Sequence, residues 1–283
     1  MRRRARATAT VVLAAALALA APARAEEPGD RFGQPRPPGD EEGGGRVQRV
    51  HAEERPFVFL LDPSTPSRRD VSVSYGLGVG SGVAAERPLP AIGAAGAITH
   101  SLTLAYGATE RFSPFVEGRI VQPTTAGGDA TAGLSAGARW QLTAPGRPLR
   151  AAVMGAFLRE PGGALGGAVR AAVTYDVGRL RVGANAHFEK IFAAGRDGVD
   201  MIALAGASYR VLDWLRLGAE YVAQDLEDAF EQDEAEGGAR HYAGPSFAID
   251  LDRGRVQIVG GPAFGLNSRA ARVVGRAAVV MTF

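Results

Sequence analysis

The chain has 283 residues, 38 glycines, one lysine (Lys190), no cysteine and a formal charge of +2. The lack of cysteine excludes a disulfide framework, a thiolate nucleophile and a thiolate metal site. Five arginines (Arg2, Arg3, Arg4, Arg6, Arg24) and no acid fall in the first 25 residues, so the remainder carries −3, which excludes a nucleic-acid-seeking surface.

In chain order, Met1–Arg6 is basic, Thr10–Ala21 is apolar, and Ala23-Arg24-Ala25 supplies a small-x-small site. This pattern predicts a signal peptide over 1–25, cleaved after Ala25; the apolar run is too short to span a membrane as a helix. From 26 to 70 the chain is rich in Gly, Pro, Arg and Glu, which predicts a disordered leader. Within it, Phe57-Val58-Phe59-Leu60-Leu61, closed by Asp62-Pro63, reads either as an extra strand or as a segment tucked against a rim.

From Val71 onward the hydropathy has period two. Val71, Val73, Tyr75, Leu77 and Val79 alternate with Ser and Gly; Leu134, Ala136, Ala138, Trp140 and Leu142 alternate with Ser135, Gly137, Arg139 and Gln141. Val169, Ala171, Val173, Tyr175 and Val177 alternate with Arg170, Thr174 and Asp176, and Leu180, Val182, Ala184, Ala186 and Phe188 with Arg181, Asn185, His187 and Glu189. Successive strand residues face opposite sides, so each segment has one greasy and one polar face. Counting the weaker repeats, about 12 strands of roughly ten residues are expected, near the length a tilted strand needs to cross a bilayer. The connections between them alternate between tight and longer, with long ones at Ser81–Thr99 and Asp225–Arg240.

The C-terminal run Val273–Phe283 ends in Phe283, preceded at alternate positions by Met281 and Val279. With the signal peptide and the repeated amphipathic strands, it resembles the C-terminal signature strand of porin-like Gram-negative outer-membrane β-barrels, and the resemblance covers Val71–Phe283. It implies an all-β, membrane-spanning, up-and-down antiparallel barrel over 71–283, with the leader and both ends in the periplasm. It also implies contact with outer-membrane lipids and lipopolysaccharide, and assembly machinery that reads Phe283, Met281 and Val279. The function expected is a narrow channel or a substrate-specific diffusion pore for small solutes. The alternatives are a non-conducting structural or surface-interaction barrel and, behind it, a barrel hydrolase.

By strand parity the inward residues include Glu117, Arg119, Arg139, Arg150, Arg170, Asp176, Arg181, His187, Glu189, Arg216, Glu220, Asp250, Arg255 and Arg276. Of these, Arg119, Arg139, Arg170, Arg181, Glu117 and Glu220 are the chosen lumen-lining set. They read either as a charge filter, in which the excess of Arg favours anions, or as Arg–carboxylate bracing. Asn185, His187 and Glu189 share one strand face, the spacing in which a histidine is oriented as a general base. No serine is tied to them, and a hydrogen-bonded lumen network is the simpler reading. His51, His100 and His241 are isolated and expected in the leader or loops.

Seven acids between Asp225 and Glu236 lack the calcium-loop pattern, Ala229 standing where an oxygen ligand is needed. Gly76, Gly78, Gly80 and Gly82 are the small face of a strand rather than a dinucleotide loop. No cofactor, metal or nucleic-acid partner is expected.

Overall fold

The computed structural model describes residues 56–81, 96–124, 128–160, 163–194, 198–226 and 239–283. All of them belong to one compact unit, Val50–Phe283. The signal peptide, most of the leader, His51 and most of the acidic run lie outside the described residues.

Twelve strands follow one another: β1 Val71–Ser81, β2 Ala97–Tyr106, β3 Phe112–Pro123, β4 Thr131–Gln141, β5 Leu149–Arg159 and β6 Leu165–Val177. Then come β7 Leu180–Phe192, β8 Asp200–Leu212, β9 Leu215–Gln224, β10 Arg240–Leu251, β11 Val256–Gly265 and β12 Val273–Thr282. Each pairs antiparallel with its sequence neighbours, and β12 pairs with β1, closing the barrel. The seam runs from Ser72↔Thr282 to Ser81↔Val273 and is extended by reciprocal bonds between Val71 and Phe283, at 3.1 and 3.0 Å. Closure leaves no strand edge unpaired, the condition for a sheet in hydrocarbon.

The period-two pattern sets which face looks out. On β6, Val169, Val173, Tyr175 and Val177 are exposed, while Ala168, Ala172 and Thr174 between them are buried. Val71, Tyr75, Leu77, Trp140, Val182, Phe188, Leu217 and Tyr221 continue this exposed apolar surface around the outside.

With an even strand count the start of β1 and the end of β12 lie at one end of the barrel. At that end 178–179 is a tight turn, with Gly178 at φ +59, a backbone conformation a side chain disfavours. The connection 252–255, with Asp252–Gly254 as a single 3-10 turn, is short too. At the opposite end the long connections are 82–96 and 225–239. The expected alternation holds only in part, because 160–164 is as short as 107–111 at the other end.

The segment before β1 is neither an added strand nor a rim cover. Residues 56–66 run inside the barrel, so part of the expected leader 26–70 occupies the lumen. Phe57, Val58, Phe59 and Leu60 are buried in one apolar cluster with Ile202, Leu204, Val222, Tyr242, Ala248, Val259 and Val274. All seven partners are inward residues of β8–β12, whose inner face thus carries an apolar patch beside buried polar groups such as Arg216, Glu220 and Gln257. Apolar burial of this kind is worth roughly 1.5–3 kcal/mol per large side chain. The segment's path needs glycines. A Cβ on Gly107 would stand 1.9 Å from the Ser67 carbonyl oxygen, and one on Gly206 would be 3.1 Å from the Phe57 ring.

Candidate functional site

The lumen is divided lengthwise. The inserted segment covers the apolar patch of β8–β12, and its polar groups are held by polar and charged side chains of β4, β5, β7 and β9. Glu220, at mid-strand on β9 and 3% exposed, accepts three successive backbone N–H groups: Val58 at 2.7 Å, Phe59 at 2.8 Å and Leu60 at 2.9 Å. Asn185 on β7 accepts from Leu61 N–H at 2.6 Å and donates back to the Leu61 carbonyl at 3.1 Å, imitating a strand partner. A buried backbone outside any sheet has to find such partners, because each unpaired group costs about 1–3 kcal/mol.

Nearer the terminal end, Asp62 lies between Arg150, at 3.6 Å, and Arg181, at 3.4 Å. Both arginines also hold Asp176, Arg150 at 2.9 Å and Arg181 at 2.5 Å. Arg139 donates to the Ser64 carbonyl at 2.6 Å, and Arg150 to the Ser64 hydroxyl at 2.9 Å. Burial pushes the Asp62 carboxyl up, but the two guanidinium groups, with hydrogen bonds from Ser64, outweigh it and hold the carboxyl below its usual range.

The other half of the lumen, along β1–β7, keeps a cavity of about 450 Å³. It exists because the inward positions there are small: Ser74, Gly76, Ser101, Gly133, Ser135, Ala156 and Ala168 all line it. Its charged groups are Glu117, Arg119, Arg139, Arg159, Glu160, Arg170, His187 and Glu189, with Asp62 from the inserted segment and Arg276 from β12. Arg119 holds Glu117 at 2.5 Å, and Thr103 donates to the same carboxylate at 3.1 Å. Arg170 Nε donates to His187 Nδ1 at 3.2 Å, and His187 Nε2 lies 3.4 Å from Glu189 Oε2. An arginine Nε–H only donates, so Nδ1 of His187 is unprotonated and its ring proton sits on Nε2, facing Glu189.

No protein-family model matches this chain, and neither does any curated protein. Solved structures do. The chain is similar to the COG4313 outer membrane channel from Pseudomonas putida F1 at 12% identity and a TM-score of 0.57, over 79% of this chain and 100% of that one. It is also similar to the NanC porin at 8% identity and a TM-score of 0.50, over 75% and 98% of the two chains. The fold is that of an outer-membrane β-barrel.

The six residues expected to line the lumen of this outer-membrane barrel all point inward, but they divide by task. Arg181 and Glu220 are spent on the inserted segment, whereas Glu117, Arg119 and Arg170 face the cavity. Arg139 does both, touching Ser64 and lining the cavity. Charges that brace the inserted segment and charges that face the cavity thus occupy different parts of one lumen.

Arg255, expected inside, is exposed in the turn after Gly254. His100 and His241 lie on strands β2 and β10 rather than in loops. Each ring accepts or donates at Nδ1 to a tyrosine on the outer face, Tyr75 at 2.8 Å and Tyr221 at 2.6 Å. Of the acidic run, Asp225 is described, and it pairs with Arg240 at 3.2 Å.

Asn185, His187 and Glu189 share a face as expected but do not act together. Asn185 binds the inserted segment at Leu61, and His187 has Arg170 on one nitrogen and Glu189 on the other. The parts played by Asp62 and Ser64 had no counterpart in the sequence reading. Their only signal was a buried-looking apolar run ending in a carboxylate, opposite strands with unpaired inward arginines.

Proposed function

We propose that the chain is an outer-membrane channel for small solutes, made as a precursor cleaved after Ala25 and narrowed by its own residues 57–66. The observation that carries this reading is the cavity of about 450 Å³ along β1–β7, walled by small residues and lined by Glu117, Arg119 and Arg170. A lumen meant only as scaffold has no need of such space, and charge rings at a narrow point select ions by sign. The arginine-rich lining favours anions. A catalytic reading has less support, because both nitrogens of His187, the one candidate base, are already engaged. The same reading makes Phe283, Met281 and Val279 the signal for the barrel-assembly machinery, and lipid and lipopolysaccharide the surroundings of the exposed apolar face.

The test is single-channel recording in planar bilayers under a KCl gradient, with the chain from Glu26 compared with a chain starting at Arg69. Stable steps with an anion-selective reversal potential, made less anion-selective by Arg119→Gln, are expected from the longer chain. Silence from both chains, each folded and heat-modifiable, would overturn the channel. The segment against β8–β12 favours a second reading, a barrel closed at rest; steps from the shorter chain alone would select it.

A further inference from the structure

We infer that the cavity along β1–β7 is a binding site for a small organic monocarboxylate, gripped by Arg170. The inference deepens the channel reading and rests on it only for the route by which the ligand arrives.

Arg170 is held from behind. Its Nε donates to His187 Nδ1 at 3.2 Å, and His187 is backed by Glu189 at 3.4 Å. This fixes the plane of the guanidinium and leaves its two terminal nitrogens for the cavity. Among the described residues, no carboxylate stands within ion-pair distance of Arg170. Of the cavity's acids, Glu117 is engaged by Arg119 and Thr103, Glu189 by His187, and Asp62 by Arg150 and Arg181. An oriented guanidinium with no directly paired carboxylate, facing a cavity, is complementary to a ligand carboxylate, which takes two parallel N–H bonds from it.

The surroundings narrow the ligand class. The inward residue paired with Arg170 across β5 is Met154, a flexible side chain, and Ala156 and Ala168 leave room beside it. Leu158 and Phe115 give the cavity an apolar patch for the ligand's body. Inorganic phosphate can use the guanidinium but gains nothing from the apolar patch, so an organic carboxylate is preferred to it. His187 is a positioning residue here: it touches Arg170, not the ligand.

The experiment is isothermal titration of the refolded chain from Glu26, in detergent, with cyclohexanecarboxylate, its neutral isostere cyclohexanecarboxamide, and inorganic phosphate. Saturable binding of the carboxylate is expected, with the amide and phosphate at least tenfold weaker. Arg170→Gln should abolish the preference for carboxylate over amide. Arg170→Lys, which keeps the charge but not the fork, should reduce it several-fold. Equal affinity for acid and amide, no saturable binding at all, or an unchanged preference in a folded Arg170→Gln protein would overturn the site. The comparison of acid with amide uses the unaltered protein, so it stands even if a variant does not refold. Conductance without acid-selective binding would leave the channel and remove the site; binding by a silent barrel would do the reverse.

Discussion

Removing one carboxylate should free the inserted segment. In Glu220→Ala, three backbone N–H groups inside the lumen lose their acceptor at a stroke. Hydrogen bonds to a charged partner contribute about 1.5–3 kcal/mol each, so three give roughly 4–9 kcal/mol. The freed amides can turn to water when the segment withdraws, so the lower end, about 4 kcal/mol, is the better figure. At about 1.4 kcal/mol per tenfold, that raises the withdrawn population by on the order of a thousandfold. Because the chain has no cysteine, a Val58→Cys substitution gives one buried thiol whose maleimide labelling rate reports the withdrawn fraction. Labelling in the Glu220→Ala, Val58→Cys protein should exceed that in Val58→Cys alone by at least a hundredfold. A rate within threefold of the parent, in a protein still heat-modifiable, would refute the idea that Glu220 anchors the segment.

Val173→Arg places a cation on the exposed face of β6 and should cost roughly 2–4 kcal/mol near the bilayer midplane in urea unfolding from liposomes. Arg170→Ala, inward on the same strand, should cost less, and equal losses would mean that the inward and outward faces are misassigned. Asp62 titrates below its ordinary value of 3.8, so its ion pairs favour the docked segment at every pH above that value. This contribution is lost only as the pH falls through the lower, docked-state value. Hydrogen exchange at the Ser64 amide, which donates to Asp62, should therefore be slower than in Asp62→Asn from neutral pH down to the ordinary carboxylate range, the difference closing only below it. A difference that closes near pH 6 would assign the anchoring to another group.

Strands were legible because one chemical rule governs most of the barrel: greasy outward, small or polar inward. Arg170, Arg181, His187 and Glu220 could be placed inside from parity alone, since a one-residue slip would have put charge into hydrocarbon. What parity does not encode is which inward groups meet across the lumen, because that depends on shear and on whatever fills the space. Glu220 reads as one more lining charge until Val58, Phe59 and Leu60 are set against it. The sequence carries the signal in another form. Ile202, Leu204, Val222, Val259 and Val274 are apolar at inward positions, where a water-filled lumen asks for polar side chains, so something apolar had to cover them. Phe57–Leu61, an apolar run with no strand partner, was the piece that fitted.

The two-sided character of β8–β12 also bears on how the molecule is put together. Around Ile202, Leu204, Val222, Tyr242, Val259 and Val274 these five strands are apolar on both faces, so there a half-formed sheet shows hydrocarbon to water on whichever side the bilayer does not cover. Phe57–Leu60 are joined to β1 by only ten residues, and β1 is the last partner β12 must find. The stretch that shields the bare inner wall is thus delivered by the strand that seals the cylinder. Wetting of that wall ends at the moment of circularisation, and ring closure and lumen filling become a single cooperative event rather than two.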